Sequence, residues 1–276
     1  MSILTLIRGT IRELLSKATL YVLLGISTLV LLGTLVAISA QQTNEGIVLH
    51  LFGLPISTPA QPEELMPSVY NMQAGLARGL FVGIMLFGVF ATASLIPDSL
   101  EKGIVDLYLS KPLARWELLA GRSLGGVCAI GAVTVYFIAG VWLTFGIRAG
   151  VWNVHFLLSS ITMTLMFAVI GSMLAVLGVI FRNAAVPIIG CFLYLMVVDN
   201  LLDSRQTVLY MLSENPLYRT ACDVFSYALP QVSSMQRELS NQILQRPVAW
   251  QAFLQPILSA FGLFGVAAFI MHRKDF

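Results

Sequence analysis

Charge is what this sequence has least of. Lysine and arginine number 16 and aspartate and glutamate 14, so that 11% of the 276 residues are charged, against about 25% in ordinary soluble domains. With 57% of the residues hydrophobic and a mean hydropathy of +0.84, the surface cannot be covered with charge as water demands, and lipid is the solvent that fits. Cysteine is scarce as well. Cys128, Cys191 and Cys222 stand far apart, which gives no spacing for a disulfide framework or a thiolate metal knot. A net charge of +2 leaves no electrostatic footprint for nucleic acid. No G-x-x-x-x-G-K-S/T loop occurs, so the chain does not cradle ATP phosphates by that route. No span centre carries an ionisable side chain, which disfavours a proton-coupled carrier. Nor can a serine, a histidine and an acid be placed in one membrane layer, as a hydrolytic triad requires.

Hydrophobic runs are plentiful. Six are long enough to cross a hydrocarbon core of about 30 Å, at approximately 18–40, 79–97, 118–145, 153–181, 184–202 and 252–271. They lack strand alternation, and lipid leaves only helices or closed barrels, so the expected fold is all-α, a polytopic membrane protein with six transmembrane helices. Lysine and arginine set the orientation. With the N-terminus inside, the inner segments hold Arg8, Arg12, Lys17, Lys102, Lys111, Arg115, Arg122, Arg182, Arg273 and Lys274, whereas the two short outer connections hold only Arg78 and Arg148. Both termini are therefore expected in the cytoplasm, in the inner (plasma) membrane of the cell.

Residues 41–78, with Pro55, Pro59, Pro62 and Pro67, read as an irregular outer loop. Residues 203–251 form the last extracytoplasmic connection, which carries Arg205, Arg219, Arg237 and Arg246 against the count but is long and largely balanced by acids. Within it a helix is expected from Ser233, capped in a box with Gln236, with Met235, Leu239 and Ile243 on one face and an end before Pro247. Residues 1–17 read as an interfacial helix: Ile7, Ile11, Leu14, Leu15 and Ala18 share a face, and Arg8, Arg12 and Lys17 lie on the polar side.

What charge there is gathers in one place. Asp98, Glu101, Lys102, Asp106, Lys111, Arg115, Glu117 and Arg122 crowd the connection between the second and third spans. Pro97 and Asp98 read as the end of the second span and the start of a new helix. Leu100, Ile104, Leu107 and Tyr108 stripe one side of it, and Lys111 before Pro112 ends it. Such a two-faced cytoplasmic helix can lie on anionic lipid or dock into a groove of a soluble partner. Glu101, Asp106 and Glu117 would repel an anionic surface, which tips the balance toward protein.

This segment resembles the ABC type-2 export permeases, in particular the multi-copper enzyme maturation type branch. Their members tend to carry E-x-G-T-L-E-x-L-L-S-x-P-V-S-R-x-E after the second span, followed by Gly-Lys or Gly-Arg. Glu101, Gly103, Leu109, Ser110, Pro112, Arg115, Glu117, Gly121 and Arg122 match, Leu107 falls at an open position of the pattern, and Ile104 stands where threonine is usual. The six spans, the amphipathic N-terminal helix, the FRNAA turn at 181–185 and the basic HRKDF tail agree with the resemblance. It implies that residues 1–276 are a single transmembrane permease domain without catalytic residues. It implies too that residues 98–117 are the coupling segment, seated in a cytoplasmic ABC ATPase, with Leu100, Glu101, Gly103, Ile104, Asp106, Leu107, Tyr108, Ser110, Pro112, Arg115 and Glu117 as its contacts. Two ATPase copies, holding ATP and Mg, would pair with two permease copies, a homodimer in the simplest case. Substrate would pass between the copies, lined in part by Thr134, Tyr136, Ser159, Thr162 and Ser172. An ATP-independent membrane scaffold or assembly factor, or a secondary transporter, is the alternative.

Other constellations carry less. Asp199, Asn200 and Asp203 close the fifth span at its outer end, where solvation or a helix-end contact accounts for them. His50, Met66 and Met72 are too scattered for a soft-metal site, and no metal or cofactor is expected in this chain. Gly75, Gly79 and Gly83, and Gly121 with Gly125, have the spacing of close-packing faces between helices or subunits.

Overall fold

The computed structural model describes residues 3–43, 46–55, 62–100, 114–212 and 215–273. In chain order α1 (Ile3–Ser16) and α2 (Ala18–Ala37) lead into β1 (Ile38–Thr43), β2 (Gly46–Leu51) and β3 (Leu54–Pro55). Then come α3 (Pro62–Thr92), α4 (Leu95–Ser99), α5 (Arg115–Ala149) and α6 (Val154–Phe181). The fifth hydrophobic stretch is α7 (Ala185–Leu193), a π-helical turn (Tyr194–Val198) and α8 (Asp199–Asp203). Finally come α9 (Leu209–Leu212), α10 (Pro216–Ala228), α11 (Val232–Ile243) and α12 (Gln251–Arg273). Among the described residues six stretches are long and apolar enough to cross a membrane: Ala18–Ala37, Leu65–Ser99, Arg115–Ala149, Val154–Phe181, Ala185–Asp203 and Gln251–Arg273. The chain is a helical, polytopic membrane protein, as its hydropathy predicts.

α5 and α6 form the centre. Phe137, Phe145, Phe156 and Phe167 along them are wholly buried, whereas α2 and α12 sit outside with Leu29, Val36, Leu258, Phe261 and Phe269 exposed. In lipid an exposed leucine costs nothing, so the bundle is held by close packing and internal hydrogen bonds. One end of the bundle, here the terminal end, brings together α1, α4, the start of α5 and the end of α12. Lys17 Nζ lies 3.3 Å from Asp98 Oδ2, and Arg115 Nη1 donates to the Met271 carbonyl at 3.2 Å. The opposite, loop end carries the small sheet and α9 to α11.

Three local features differ from the sequence reading. The stretch expected to be irregular holds a three-stranded antiparallel meander, in order β1-β2-β3, with Ile38 opposite Leu51 and Leu51 opposite Leu54. Phe52 and Gly53, at φ 53° and 79°, form the two-residue turn with positive φ that matches strand twist. The second span begins at Pro62, well before residue 79, because α3 continues beyond its apolar run. Its polar Gln73 and Arg78 are occupied there by Asn153 and Ser240. The helix break before the charged segment falls at Ala93 and Ser94, not at Pro97 and Asp98. Pro97 cannot donate to the carbonyl of Ala93 and its ring crowds that group, so the interruption appears one turn upstream.

At the loop end α11 forms where a helix was expected, and Met235, Leu239 and Ile243 are wholly buried. Its N-terminus is capped differently. The Asp199 carboxylate accepts from the Val232 and Ser233 amides at 3.0 and 2.8 Å and from the Ser233 hydroxyl at 2.6 Å. The expected Ser233 and Gln236 box gives way to an acid 34 residues earlier. Asn153, wholly buried, caps α6 by accepting from the His155 amide at 3.1 Å, while its Nδ2 donates to Gln73 and to the Ile243 carbonyl at 2.9 and 3.0 Å.

Candidate functional site

The site built from the charged segment begins with the helix beneath it. α1 ends at Ser16, and Lys17 in extended geometry turns the chain into α2, so the expected bend between the N-terminal helix and the first span is present. The stripe that α1 buries is Leu6, Thr10 and Leu14; of the expected face Leu14 belongs to it, whereas Ile7 and Ile11 are half-buried and Leu15 and Ala18 exposed. The reason lies on α5. Gly121 and Gly125 form a shallow trough, and a Cβ added at either would lie 2.6 Å from the Cβ of Leu6 or of Thr10. The backbone of α1 therefore settles where a side chain would otherwise stand. Gly125→Val is expected to cost about 1–3 kcal/mol as overpacking and to open α1 to trypsin at Arg8 and Arg12. An unchanged cleavage rate in detergent would show that this trough does not hold α1.

Charge then ties the frame. Arg122, buried on α5, pairs with Glu13 of α1. Lys17 Nζ reaches Glu13 at 3.5 Å, Asp98 at 3.3 Å and the Ser94 hydroxyl at 2.6 Å, so one ammonium joins α1 to the helix break before α4. Asp98 thus faces α1; Lys102 lies outside the described residues. On the far side Glu117 accepts from the Ala114 amide at 3.0 Å, closing the first turn of α5, and Arg115 also reaches the His272 carbonyl at 3.4 Å. Cations at a helix C-terminus meet its unpaired carbonyls. α12 is thereby clipped to α5.

Of the expected coupling residues, Leu100, Arg115 and Glu117 are described. Leu100 is buried in a small apolar cluster with Leu6, Ile96, Leu118 and Leu119. Glu101, Gly103, Ile104, Asp106, Leu107, Tyr108, Ser110 and Pro112 lie outside the described residues. Both bases of the 101–113 segment are thus fixed, at Leu100 to α1 and α5 and at Arg115 to α12. Glu13, Lys17, Ser94 and Arg122 were not expected as parts of the site. The spacing of Glu13 and Lys17 by four residues was legible as a helical ion pair, but the reach of Arg122 across to Glu13 depends on the glycine trough.

The expected pathway residues are not gathered around one passage within the chain. Thr134, Ser159 and Ser172 are buried and donate to carbonyls of their own helices, those of Ile130, Phe156 and Val169. Thr162 bonds Gln242 of α11 at 2.9 Å, and the half-exposed Tyr136 hydroxyl lies 3.1 Å from that of Thr28. Gly75, Gly79 and Gly83 have open space before them. Near α10, the Tyr210 hydroxyl at 2.7 Å and then Arg205 at 3.1 Å hold the Asp223 carboxyl below its ordinary pKa. No family model matches the chain, and no curated protein matches it either.

Proposed function

We propose that this chain is the transmembrane permease subunit of an ABC exporter, with its terminal end in the cytoplasm. ATP hydrolysis takes place on a separate ATPase subunit, and substrate moves outward between two permease copies in the inner membrane. The observation that carries this reading is the charged, two-faced segment 98–122, set between bases that are fixed to different helices. A force applied to residues 101–113 reaches α4 and α1 through Leu100, Asp98 and Lys17, and reaches α5 and α12 through Arg115. A passive docking site has no need of such bracing, whereas a lever does.

The test is purification of the tagged chain from its own membranes in mild detergent. A second polypeptide carrying G-x-x-x-x-G-K-S/T should come with it in equal amount, and the pair in proteoliposomes should turn over ATP faster than the ATPase alone. A scaffold would give association with unchanged turnover. A secondary carrier would give gradient-driven uptake in vesicles lacking ATP. Either result replaces this reading.

A further inference from the structure

α10 is amphipathic the wrong way round for a helix on a water-covered surface. Its polar face looks toward the protein: Asp223 meets Arg205 and Tyr210, and the carbonyls of Ser226, Tyr227 and Leu229 accept from Gln255 Nε2 on α12 at 3.0, 3.1 and 2.8 Å. Its apolar face looks away. Leu217, Ala221, Val224, Phe225 and Ala228, spaced as one helical stripe, are all exposed, Leu217 at 79% and Phe225 at 63%. Beside it Tyr227 and Trp250 are exposed, at the point where α12 begins its apolar run. Aromatic side chains of that kind mark the boundary between headgroups and hydrocarbon.

Along α12, starting at the end of α10 where Tyr227 and Ala228 meet it, runs an open groove of about 670 Å³. Tyr227, Gln251, Gln255 and Ser259 border its upper part, and Leu258, Gly262, Leu263 and Val266 its lower part. From Gln255 to Val266 the helix descends about 17 Å, close to half of a hydrocarbon core of about 30 Å. The groove is therefore polar at the leaflet surface and apolar toward the midplane, with no charged residue in its lining. It continues into the exposed Leu254, Leu258 and Phe261 face of α12, which lipid covers. A single extended acyl chain matches the groove's length of about 17 Å.

We propose that this groove is a phospholipid site: α10 lies in the leaflet at the loop end, and one acyl chain lies along α12 from the end of α10 toward Val266, with its headgroup beside Gln251. The uncharged mouth makes the site indifferent to headgroup charge. This inference does not depend on the transport reading.

Gly262 lines the groove and Gly265 does not, yet a Cβ at either meets nothing within 4 Å, so tryptophan at either position leaves the fold unstrained. Native mass spectrometry of the chain titrated with palmitoyl-oleoyl phosphatidylethanolamine or phosphatidylglycerol is the experiment. Expected is one tightly retained lipid of either kind, with affinities within about twofold, weakened at least about tenfold by Gly262→Trp and unchanged by Gly265→Trp. Equal retention by both variants would overturn the site. So would a preference of more than about tenfold for the anionic lipid, which would point to the basic terminal end. A dimer that Gly262→Trp dissociates without loss of lipid would assign the groove to a second copy.

Discussion

Leu107→Asp is expected to abolish capture of the ATPase subunit while the chain remains folded and inserted. Leu107 is the centre of the stripe Leu100, Ile104, Leu107 and Tyr108 that the sequence pattern draws along the charged segment. Truncating a central apolar anchor of an interface costs about 2 kcal/mol or more, and an unpartnered carboxylate in a closed contact adds its desolvation. A total of about 3 kcal/mol or more weakens binding by more than about 100-fold, enough to empty an affinity column. Leu100, Leu118 and Leu119 at the bases of the segment are buried in the core, and the folded yield of the Leu107→Asp chain is read beside its capture of ATPase. Leu100→Asp supplies the contrast: it puts charge into a buried cluster and should lower the yield of folded chain as well. Copurification of the Leu107→Asp chain with ATPase at the wild-type level would remove the segment from the coupling role.

How much of this was written in the sequence depends on what each residue answers to. The spans were legible because each answers to lipid alone; α5, α6 and α12 begin and end within a few residues of the hydropathy limits. The early start of α3 was hidden because Gln73 Oε1 accepts from Asn153 and Arg78 donates to Ser240, partners 80 and 162 residues away. Polar residues bonded at that distance look the same in sequence as polar residues in a loop. The meander was hidden by four prolines that suggested irregular chain, although the first strands run ahead of them. The buried stripe of α1 was legible at Leu14 but not at Leu6 and Thr10, for a related reason. Hydrophobicity picks out Ile7 and Ile11, whereas the shape of the Gly121 and Gly125 trough picks out Leu6 and Thr10. Of the charged segment, the sequence indicated that it lies between the second and third spans, but not that Lys17 and Arg122 would brace its bases.

The same distance effect makes Asp199 the most consequential single side chain at the loop end. Asp199→Ala is expected to destabilise the chain by about 3–5 kcal/mol, because it strips the acceptor from the Val232 amide, the Ser233 amide and the Ser233 hydroxyl at once. Each buried donor left without an acceptor costs about 1–3 kcal/mol. The loss spreads beyond one cap. α11 is the brace that joins α3 through Arg78 and Ser240, and α6 through Thr162 with Gln242 and Asn153 with the Ile243 carbonyl. A helix freed at its first turn lets those bonds open in succession. Thermal unfolding in detergent should fall by about 10 °C, and hydrogen exchange should speed up first at residues 232–236 and then along α11. Asp199→Asn keeps one acceptor oxygen but turns an N–H toward the donors it must receive, so its loss should be intermediate. A shift under about 2 °C, with α11 still protected, would mean that packing by Val232, Met235, Leu239 and Ile243 holds the helix without the acid, and that the brace belongs to its apolar face.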